Sequence, residues 1–207
     1  MSLFLSRRNL EEHMAYQLLG SLTSPYVRRL RIYMTDIPYE LNQVNYLDPK
    51  QDATLSAVNP LKRIPVLLID GQPLWESRVI FNFLQRTHQR RALSLPEENA
   101  VSAIDTLQDQ LIQHFLHVRF GHPVDAANPY YMRGAERQKL ILAYLGKQAG
   151  EGRFTTWDYP AIALYTMLDW SLFRASLTTE DLSPELLAFH NKHRAVPEVV
   201  ATDPRLA

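Results

Sequence analysis

The spacing of apolar residues in the first third of the chain alternates between strand and helix patterns. The apolar run "AYQLLGS" predicts a buried strand, residues 25–35 predict an amphipathic helix, and "YELNQVNY" alternates apolar and polar positions as a second strand does. After an irregular stretch, "IPVLLID" and "QPLW" flank the turn signal Asp70-Gly71 and predict a hairpin. A closing helix is predicted by apolar residues at helical spacing, namely Val79, Ile80, Phe83 and Leu84.

From residue 96 onward the apolar spacing predicts helices only. Pro96 opens a long helix, whose apolar positions are Ile104, Leu107, Leu111, Phe115 and Val118. Three more helices are predicted over "YYMRGAERQKLILAYLGKQAG", the strongly apolar "TTWDYPAIALYTMLDWSLFRAS" and "SPELLAFHNKH". We therefore expect a leader outside the fold over residues 1–14, an α/β domain over 15–87, a linker over 88–95 and an all-helical domain over 96–207.

The composition narrows the classes of partner and chemistry. Apolar residues make up 46% of the 207 residues, and 22 Lys and Arg balance 22 Asp and Glu. Zero net charge gives no electrostatic reason to expect nucleic acid or an anionic membrane, and no apolar run reaches the roughly 20 residues that a bilayer crossing needs. The chain has no cysteine, which excludes disulfides and thiolate sites and fits the cytoplasm. Any thiol chemistry must use a thiol that the protein borrows.

Ser24-Pro25 stands at a predicted strand-to-helix junction. Serine is a favoured N-cap and proline a favoured first helical residue, so a capping role explains the pair. A hydroxyl at a helix N-terminus can also donate to a bound thiolate and lower the thiol pKa. The two roles can coexist. Ser21 and Thr23 carry hydroxyls in the same loop, and a shift of one residue would give the chemical role to Thr23.

Two further dipeptides allow both a structural and a binding interpretation. Pro65 directly precedes a buried strand, so Ile64-Pro65 is either a trans strand start or a cis bond that turns the Ile64 backbone toward an extended peptide. Glu76-Ser77 opens the closing helix. It can serve as a capping pair, or it can receive an amino acid headgroup, with Ser77 and nearby N–H groups on the carboxylate and Glu76 on the amine.

Histidines occur as pairs at helical spacing in the helical domain. His114 and His117 form one pair, and His190 and His193 form the other. Paired histidines can bind zinc, but the chain has no cysteine and no HExxH pattern. We therefore expect no metal site and interpret these histidines as structural.

Together these motifs resemble the cytosolic glutathione transferases, in particular the serine-type classes and bacterial members. The segments "GSLTSPYVRRLRI", "NPLKRIPVLLIDGQPLWESRVIFNFL", "TTWDYPAIAL" and "VPEVVATDPR" occur in the order and spacing of that family. The resemblance covers the chain from about Tyr16 onward. It implies an α/β thioredoxin-like N-terminal domain followed by an all-α C-terminal helical bundle, usually as a homodimer.

The resemblance also assigns roles to single residues. Ser24 matches the catalytic serine that hydrogen-bonds the glutathione sulfur. Ile64, before a cis Pro65, matches the residue whose backbone pairs with the cysteinyl unit.

The two ends of the glutathione tripeptide have their own implied partners. Glu76 and Ser77 match the pair that holds the γ-glutamyl group, and Lys62 or Arg63 lies where the family places a cation for the glycine carboxylate.

The function that the resemblance implies is activation of glutathione as a thiolate for attack on a small hydrophobic electrophile, with peroxidase activity as a side reaction. Glutathione would be the co-substrate, with no metal, nucleic acid or membrane partner. The alternative is a non-catalytic binding or interaction protein that keeps the fold. Disulfide exchange is disfavoured, since relatives that perform it use a cysteine where Ser24 stands.

Overall fold

The computed structural model describes residues 14–45, 47–122 and 125–207. The predicted leader over residues 1–14 lies outside this part of the chain, except for Met14. The chain divides into two compact units, of which the first extends to Ala92 and takes in the last two residues, while the second covers residues 93–205.

The described part of the first unit contains four strands and three helices. In chain order they are β1 (Tyr16–Gly20), α1 (Pro25–Tyr33), β2 (Glu40–Gln43), α2 (Pro49–Val58), β3 (Val66–Ile69), β4 (Gln72–Trp75) and α3 (Ser77–Thr87). All four predicted strands and the predicted helices α1 and α3 are confirmed.

The four strands form one mixed sheet in the order β2-β1-β3-β4. β1 pairs with β2 in parallel, whereas β3 runs antiparallel to both β1 and β4. Leu18 faces Leu67 across the central pair, and both side chains are fully buried. The order β1-α1-β2-α2-β3-β4-α3 is the thioredoxin-like architecture that the family resemblance implied.

A close approach of backbone and side chain joins β1 to α1. A Cβ atom added to Gly20 would lie 2.3 Å from Cγ2 of Val27, well inside van der Waals contact. Val27 is fully buried in the first turn of α1. Glycine at the end of β1 therefore sets how closely the start of α1 packs on the sheet.

Helix α2 occupies the stretch that the sequence analysis left irregular. Leu55 is its one buried residue, so the apolar spacing carries almost no helical signal. The helical signal lies in the capping residues instead. Asp48 accepts a hydrogen bond from the backbone N–H of Lys50, and Pro49 opens the helix.

The buried face of α3 differs from the one predicted. Ser77, Ile80, Phe81 and Leu84 are buried, whereas Val79 is 47% exposed. The buried stripe therefore runs through positions i, i+3, i+4 and i+7 from Ser77, and Val79 falls outside it.

Within its described residues, the second unit contains helices and no strands. Its elements are α4 (Leu95–Arg119), α5 (Pro129–Gly150), α6 (Tyr159–Phe173), α7 (Pro184–His193) and α8 (Pro197–Ala201), with a 3₁₀ turn at Thr179–Asp181. A second 3₁₀ turn, Pro204–Leu206, begins at the end of this unit. Every residue of α6 from Tyr159 to Ser171 is buried, which confirms it as the central helix. The long helix α4 is also confirmed, although its buried positions end at Leu111 and Val118 is exposed.

A buried carboxylate joins three segments of the helical unit. Asp169 of α6 is 3% exposed, and its Oδ1 lies 3.1 Å from Nε2 of His190 in α7. Arg205 donates to both carboxylate oxygens, at 3.0 and 3.2 Å. Hydrogen bonding to Asp169 raises the pKa of Arg205 above its usual value. The bidentate pair therefore holds the chain end of this unit against its central helix.

Within the part of the chain that the structure describes, no helix has the length and apolar character that a membrane crossing requires.

We expect Gly20→Ala to lower the free energy of unfolding by about 1–3 kcal/mol, since the new methyl group must displace Val27 or the start of α1. Chemical denaturation measures the change. Gly134→Ala is the matched control, because a Cβ there would meet its nearest atoms at an ordinary 3.5 Å within a helix. The control should be neutral or more stable by up to about 1 kcal/mol. Equal stability of Gly20→Ala and wild type would contradict the close packing.

Candidate functional site

The sheet register brings the predicted site residues to one edge. Leu19 pairs with Val66, and Val66 pairs with Trp75. Because β3 is antiparallel to both neighbours, the end of β1, the start of β3 and the end of β4 lie side by side. Three loops leave this edge: the one after Gly20 carries Ser24, the one before Val66 carries Ile64-Pro65, and the one after Trp75 carries Glu76-Ser77.

Ser24 is the N-cap of α1. Its backbone is extended, with φ −77° and ψ 127°, and its Oγ accepts a hydrogen bond from the N–H of Val27 at 3.3 Å. The Ser24 side chain is half-buried. The bond to Val27 uses an acceptor position of the hydroxyl and leaves its proton available to a ligand. Capping and donation to a ligand are therefore geometrically compatible.

The two neighbouring hydroxyls bond to each other. Oγ of Ser21 lies 3.1 Å from Oγ1 of Thr23 and accepts the N–H of Thr23 at 3.3 Å. The N–H of Ser24 donates to the backbone oxygen of Ser21 at 3.1 Å. Ser21 thus stabilises the turn that positions Ser24.

Ile64 presents its backbone at the start of β3. The Ile64-Pro65 bond is cis, and the half-buried Ile64 side chain packs on the core cluster that contains Leu19 and Val66. Within the described residues, neither the N–H nor the C=O of Ile64 has a hydrogen-bond partner. Both groups therefore remain available at the sheet edge.

Asn59 holds the loop before Ile64 and was missed by the sequence analysis. The side chain is fully buried, donates to the backbone oxygen of Arg63 at 2.7 Å and accepts the N–H of Leu61 at 2.9 Å. The signal was present in the Asn-Pro pair after α2, since such dipeptides mark turns.

Glu76 and Ser77 form the junction between β4 and α3. Glu76 is exposed with φ +66°, a conformation that favours glycine, and no capping hydrogen bond is made by its side chain. Ser77 is 7% exposed and is the first helical residue. The junction thus places a carboxylate, a hydroxyl and the N–H groups of a helix start in one place.

The two candidate cations differ in their surroundings. Lys62 has φ +53°, and its Nζ lies 2.7 Å from Oδ2 of Asp52. Arg63 is exposed, and no ion pair joins it to another described residue. Lys62 is therefore engaged within the protein, whereas Arg63 is available to a ligand.

Comparison with known proteins identifies the first unit. Residues 18–92 match the family described as "Glutathione S-transferase, N-terminal domain". The first unit is a glutathione transferase N-terminal domain. This match confirms the resemblance to the cytosolic glutathione transferases that the motifs indicated.

Curated relatives of the glutathione transferase domain are similar over part of their length. Glutathione S-transferase U9 of Arabidopsis thaliana is 37% identical over 84 residues, which are 39% of this chain and 34% of that protein. The probable maleylacetoacetate isomerase of Caenorhabditis elegans is 30% identical over 60 residues, 29% of this chain and 28% of that protein. The matches thus span about a third of these two relatives. Glutathione S-transferase U2 of Arabidopsis thaliana aligns over 82% of this chain and 80% of its own length at 26% identity.

Solved glutathione transferases share the fold over about nine tenths of the chain. The structure from Methylobacillus flagellatus has a TM-score of 0.77 at 21% identity and covers 91% of this chain and 98% of its own. The tau class enzyme from mango, Mangifera indica, has a TM-score of 0.69 at 24% identity and covers 91% and 93%. An α/β thioredoxin-like domain followed by a helical domain is therefore the architecture of this chain.

We expect Glu76→Gly to be more stable than Glu76→Ala by about 1 kcal/mol, because alanine keeps the cost of a positive φ and glycine does not. Thermal and chemical unfolding of the two variants measures the difference. The matched control is exposed Ala135 in α5, where glycine should be less stable than alanine by about 1 kcal/mol. The same order at both positions would show that φ at residue 76 has no energetic cost.

Proposed function

We propose that the chain is a glutathione transferase that activates glutathione as a thiolate for attack on a small hydrophobic electrophile. The observation that carries the proposal is the arrangement of the Ser24 hydroxyl, the Ile64 backbone and the Glu76-Ser77 helix start along one sheet edge. Structures of similar fold from Methylobacillus flagellatus and Pseudomonas fluorescens contain bound glutathione, which supports the choice of ligand.

The edge matches the chemistry of an extended tripeptide. The N–H and C=O of Ile64 would pair with the backbone of the cysteinyl unit, as a neighbouring strand does. At one end, Ser77 and the first N–H groups of α3 would receive the γ-glutamyl carboxylate, and the Glu76 carboxylate would bind its ammonium group. A carboxylate beside a helix start is thus suited to a zwitterionic headgroup.

At the other end we assign the glycine carboxylate to Arg63. Lys62 is paired with Asp52 at 2.7 Å, so transferring it to the ligand would break an existing ion pair. Arg63 lies directly before Ile64, and its exposed guanidinium can bind a carboxylate through two N–H groups.

Ser24 would stabilise the thiolate over the thiol. A free thiol with a pKa near 8.5 is only a few per cent ionised at neutral pH. Lowering the pKa by two units requires about 2.7 kcal/mol. A hydrogen bond to a charged group contributes about 1.5–3 kcal/mol, and the start of α1 adds a favourable partial charge. One hydroxyl at a helix start can therefore supply the free energy that a two-unit decrease in the thiol pKa requires.

Beyond stabilising the thiolate, the protein then has only to align the electrophile with the sulfur. The sulfur lone pair forms a bond to the electrophilic carbon, and the displaced electron pair goes to a leaving group or an adjacent acceptor. With a peroxide, the sulfur would bond to one oxygen as the O–O bond breaks and an alcohol leaves, and a second glutathione would then convert the sulfenic acid to glutathione disulfide and water, which gives the side activity. We further propose a cytoplasmic location, since a chain without cysteine suits a compartment rich in reduced glutathione. The homodimer is proposed from the family resemblance alone.

The alternative is a protein that binds glutathione without turnover. The bond from the N–H of Val27 to Ser24 favours it, because that bond gives the serine a structural role independent of any sulfur. The state of the bound thiol separates the two functions.

We expect bound glutathione to be a thiolate at neutral pH in the wild type and a thiol in Ser24→Ala, with a pKa higher by about one to two units. An ultraviolet absorbance titration of the bound thiol measures this shift. Thr23→Val is the matched control, since it removes the adjacent hydroxyl and should leave the pKa unchanged.

The same titration also identifies other outcomes. A thiolate that persists in Ser24→Ala and disappears in Thr23→Val would transfer the role to Thr23. Glutathione bound with an unshifted thiol pKa in the wild type would favour the non-catalytic alternative.

We expect Arg63→Gln to weaken glutathione binding about fivefold, as the loss of one exposed charge pair would. Lys62→Gln is the matched control and should change the Kd less, since Lys62 is held by Asp52. Calorimetric titration with glutathione and with its C-terminal amide, which keeps the glycine and removes only the carboxylate charge, isolates the carboxylate. A larger effect for Lys62→Gln, or an equal loss for both peptides in Arg63→Gln, would contradict the assignment.

A further inference from the structure

A cavity of about 290 Å³ lies in the helical unit, where the end of α5 and the following loop meet α7. The wall is largely apolar, and its uncharged residues are Ala149, Gly150, Phe154, Thr155, Ala188 and Phe189. Glu185, Lys192 and His193 complete it. The volume is close to the lower end of small-molecule pockets. All lining residues belong to the second unit, whereas the proposed glutathione residues belong to the first.

His193 is held rigidly in the wall of this cavity. The residue is 5% exposed. Its ring stacks on Trp157 with centroids 4.6 Å apart and planes 13° apart, and the ring of Phe189 lies 4.4 Å away on a tilted plane. Two aromatic neighbours therefore fix the orientation of the imidazole.

A hydrogen bond determines which nitrogen of His193 carries the proton. Nδ1 lies 2.8 Å from the backbone oxygen of Phe189, and a carbonyl can only accept, so Nδ1 is the donor. Burial lowers the pKa of His193, and the nearby Lys192 charge lowers it further, while the bond to Phe189 acts in the opposite direction. The ring is therefore neutral at neutral pH, and Nε2 is a bare acceptor.

The Nε2 acceptor has no hydrogen-bond partner among residues 14–45, 47–122 and 125–207. Nε2 is also absent from the described buried atoms that lack a partner, so it keeps some accessible surface and stays open to water or a ligand. A largely apolar cavity whose wall contains the rigid acceptor of His193 beside the Glu185 carboxylate and the Thr155 hydroxyl matches a ligand with an aromatic body and a single donor. The Lys192 ammonium group adds attraction for the oxygen of such a donor.

We propose that this cavity binds a small aromatic alcohol of the phenol class, with its ring against Phe154 and Phe189 and its O–H donating to Nε2 of His193. The site goes beyond the proposed glutathione chemistry and does not depend on it. A phenol satisfies both features of the wall, whereas an aromatic hydrocarbon or ether supplies the ring without the donor.

The first test compares two probes on the full chain without glutathione. Isothermal titration with 1-naphthol and with 1-methoxynaphthalene measures the contribution of the O–H donor. We expect the ether to bind about fivefold more weakly, as the loss of one hydrogen bond predicts. Equal affinities would overturn the role of His193.

Two variants locate the binding. His193→Asn retains a donor for the carbonyl of Phe189 and removes the Nε2 acceptor, so it should abolish the preference for naphthol over its ether. Ala188→Phe fills the cavity from an exposed position of α7 and leaves His193 in place, so it should weaken naphthol binding at least tenfold. Asn191→Phe is the matched control, because it adds the same ring at an exposed position of α7 outside the cavity wall.

Nuclear magnetic resonance of the His193 Cε1–H gives a site-specific measurement. The resonance is assigned by its loss in His193→Asn, and we expect it to shift as naphthol is added to the wild type and to Asn191→Phe. Naphthol binding of wild-type strength in Ala188→Phe, or binding without a shift of this resonance, would place the ligand elsewhere and overturn the proposal. Absence of naphthol binding to the wild type would overturn it as well.

Discussion

The antiparallel pairing of β3 with both of its neighbours is the constraint on which the candidate site depends. Since Val66 pairs with Leu19 on one side and Trp75 on the other, three loops that are distant in sequence leave the sheet at the same edge. Each loop contributes a different kind of group: a hydroxyl, an unpaired stretch of backbone and a helix start with a carboxylate. A slip of one residue in this register would turn the strand side chains to the opposite face and misalign the loops. The fully buried Leu18 and Leu67 oppose such a slip.

Ser24 connects the stability of α1 with the proposed chemistry. Its hydroxyl has one donor and two acceptor positions, and the N–H of Val27 occupies an acceptor. That bond polarises the O–H group and favours donation to a negative sulfur. The cap contributes about 1 kcal/mol to folding by the usual magnitude for serine, a smaller amount than thiolate stabilisation requires. Capping therefore accounts for only part of the stabilisation that hydrogen bonds of this hydroxyl can give. The turn formed by Ser21 keeps Ser24 in position.

The fold could be predicted from the sequence where apolar spacing and turn residues indicate the same elements. The strands, the Asp70-Gly71 hairpin and the central helix α6 follow from them, because each buries a continuous apolar run or face. Helix α2 was not predicted from the apolar spacing, since it buries only Leu55. Its sequence signal lies in the capping residues. The positive φ of Glu76 could not be predicted from the sequence, because a non-glycine residue prefers a negative φ. Only the surrounding sheet and helix impose the positive value.

The residues of the site were predicted by motif, and their geometry was not. Ser24, Ile64 and Glu76 are separated in sequence, and only the register brings their loops together. The distinction between Lys62 and Arg63 likewise required the contact with Asp52, because two adjacent cations are equivalent in a sequence pattern. The Asn-Pro pair marks a turn at Asn59, but the two hydrogen bonds by which Asn59 closes the loop became visible only in the structure.

The histidines of α7 show how one spacing pattern can contain two chemical roles. His190 and His193 are three residues apart, a spacing that zinc sites also use but that was interpreted here as structural. In the structure, Nε2 of His190 is bonded to Asp169, whose carboxylate also binds Arg205. Those contacts account for His190 as part of the buried network of the helical unit. Among the residues that the structure describes, no carboxylate is hydrogen-bonded to Nε2 of His193, and its ring contacts those of Trp157 and Phe189. A rigid, neutral imidazole beside a cavity is suited to a ligand with a donor, and packing alone does not require its exposed lone pair.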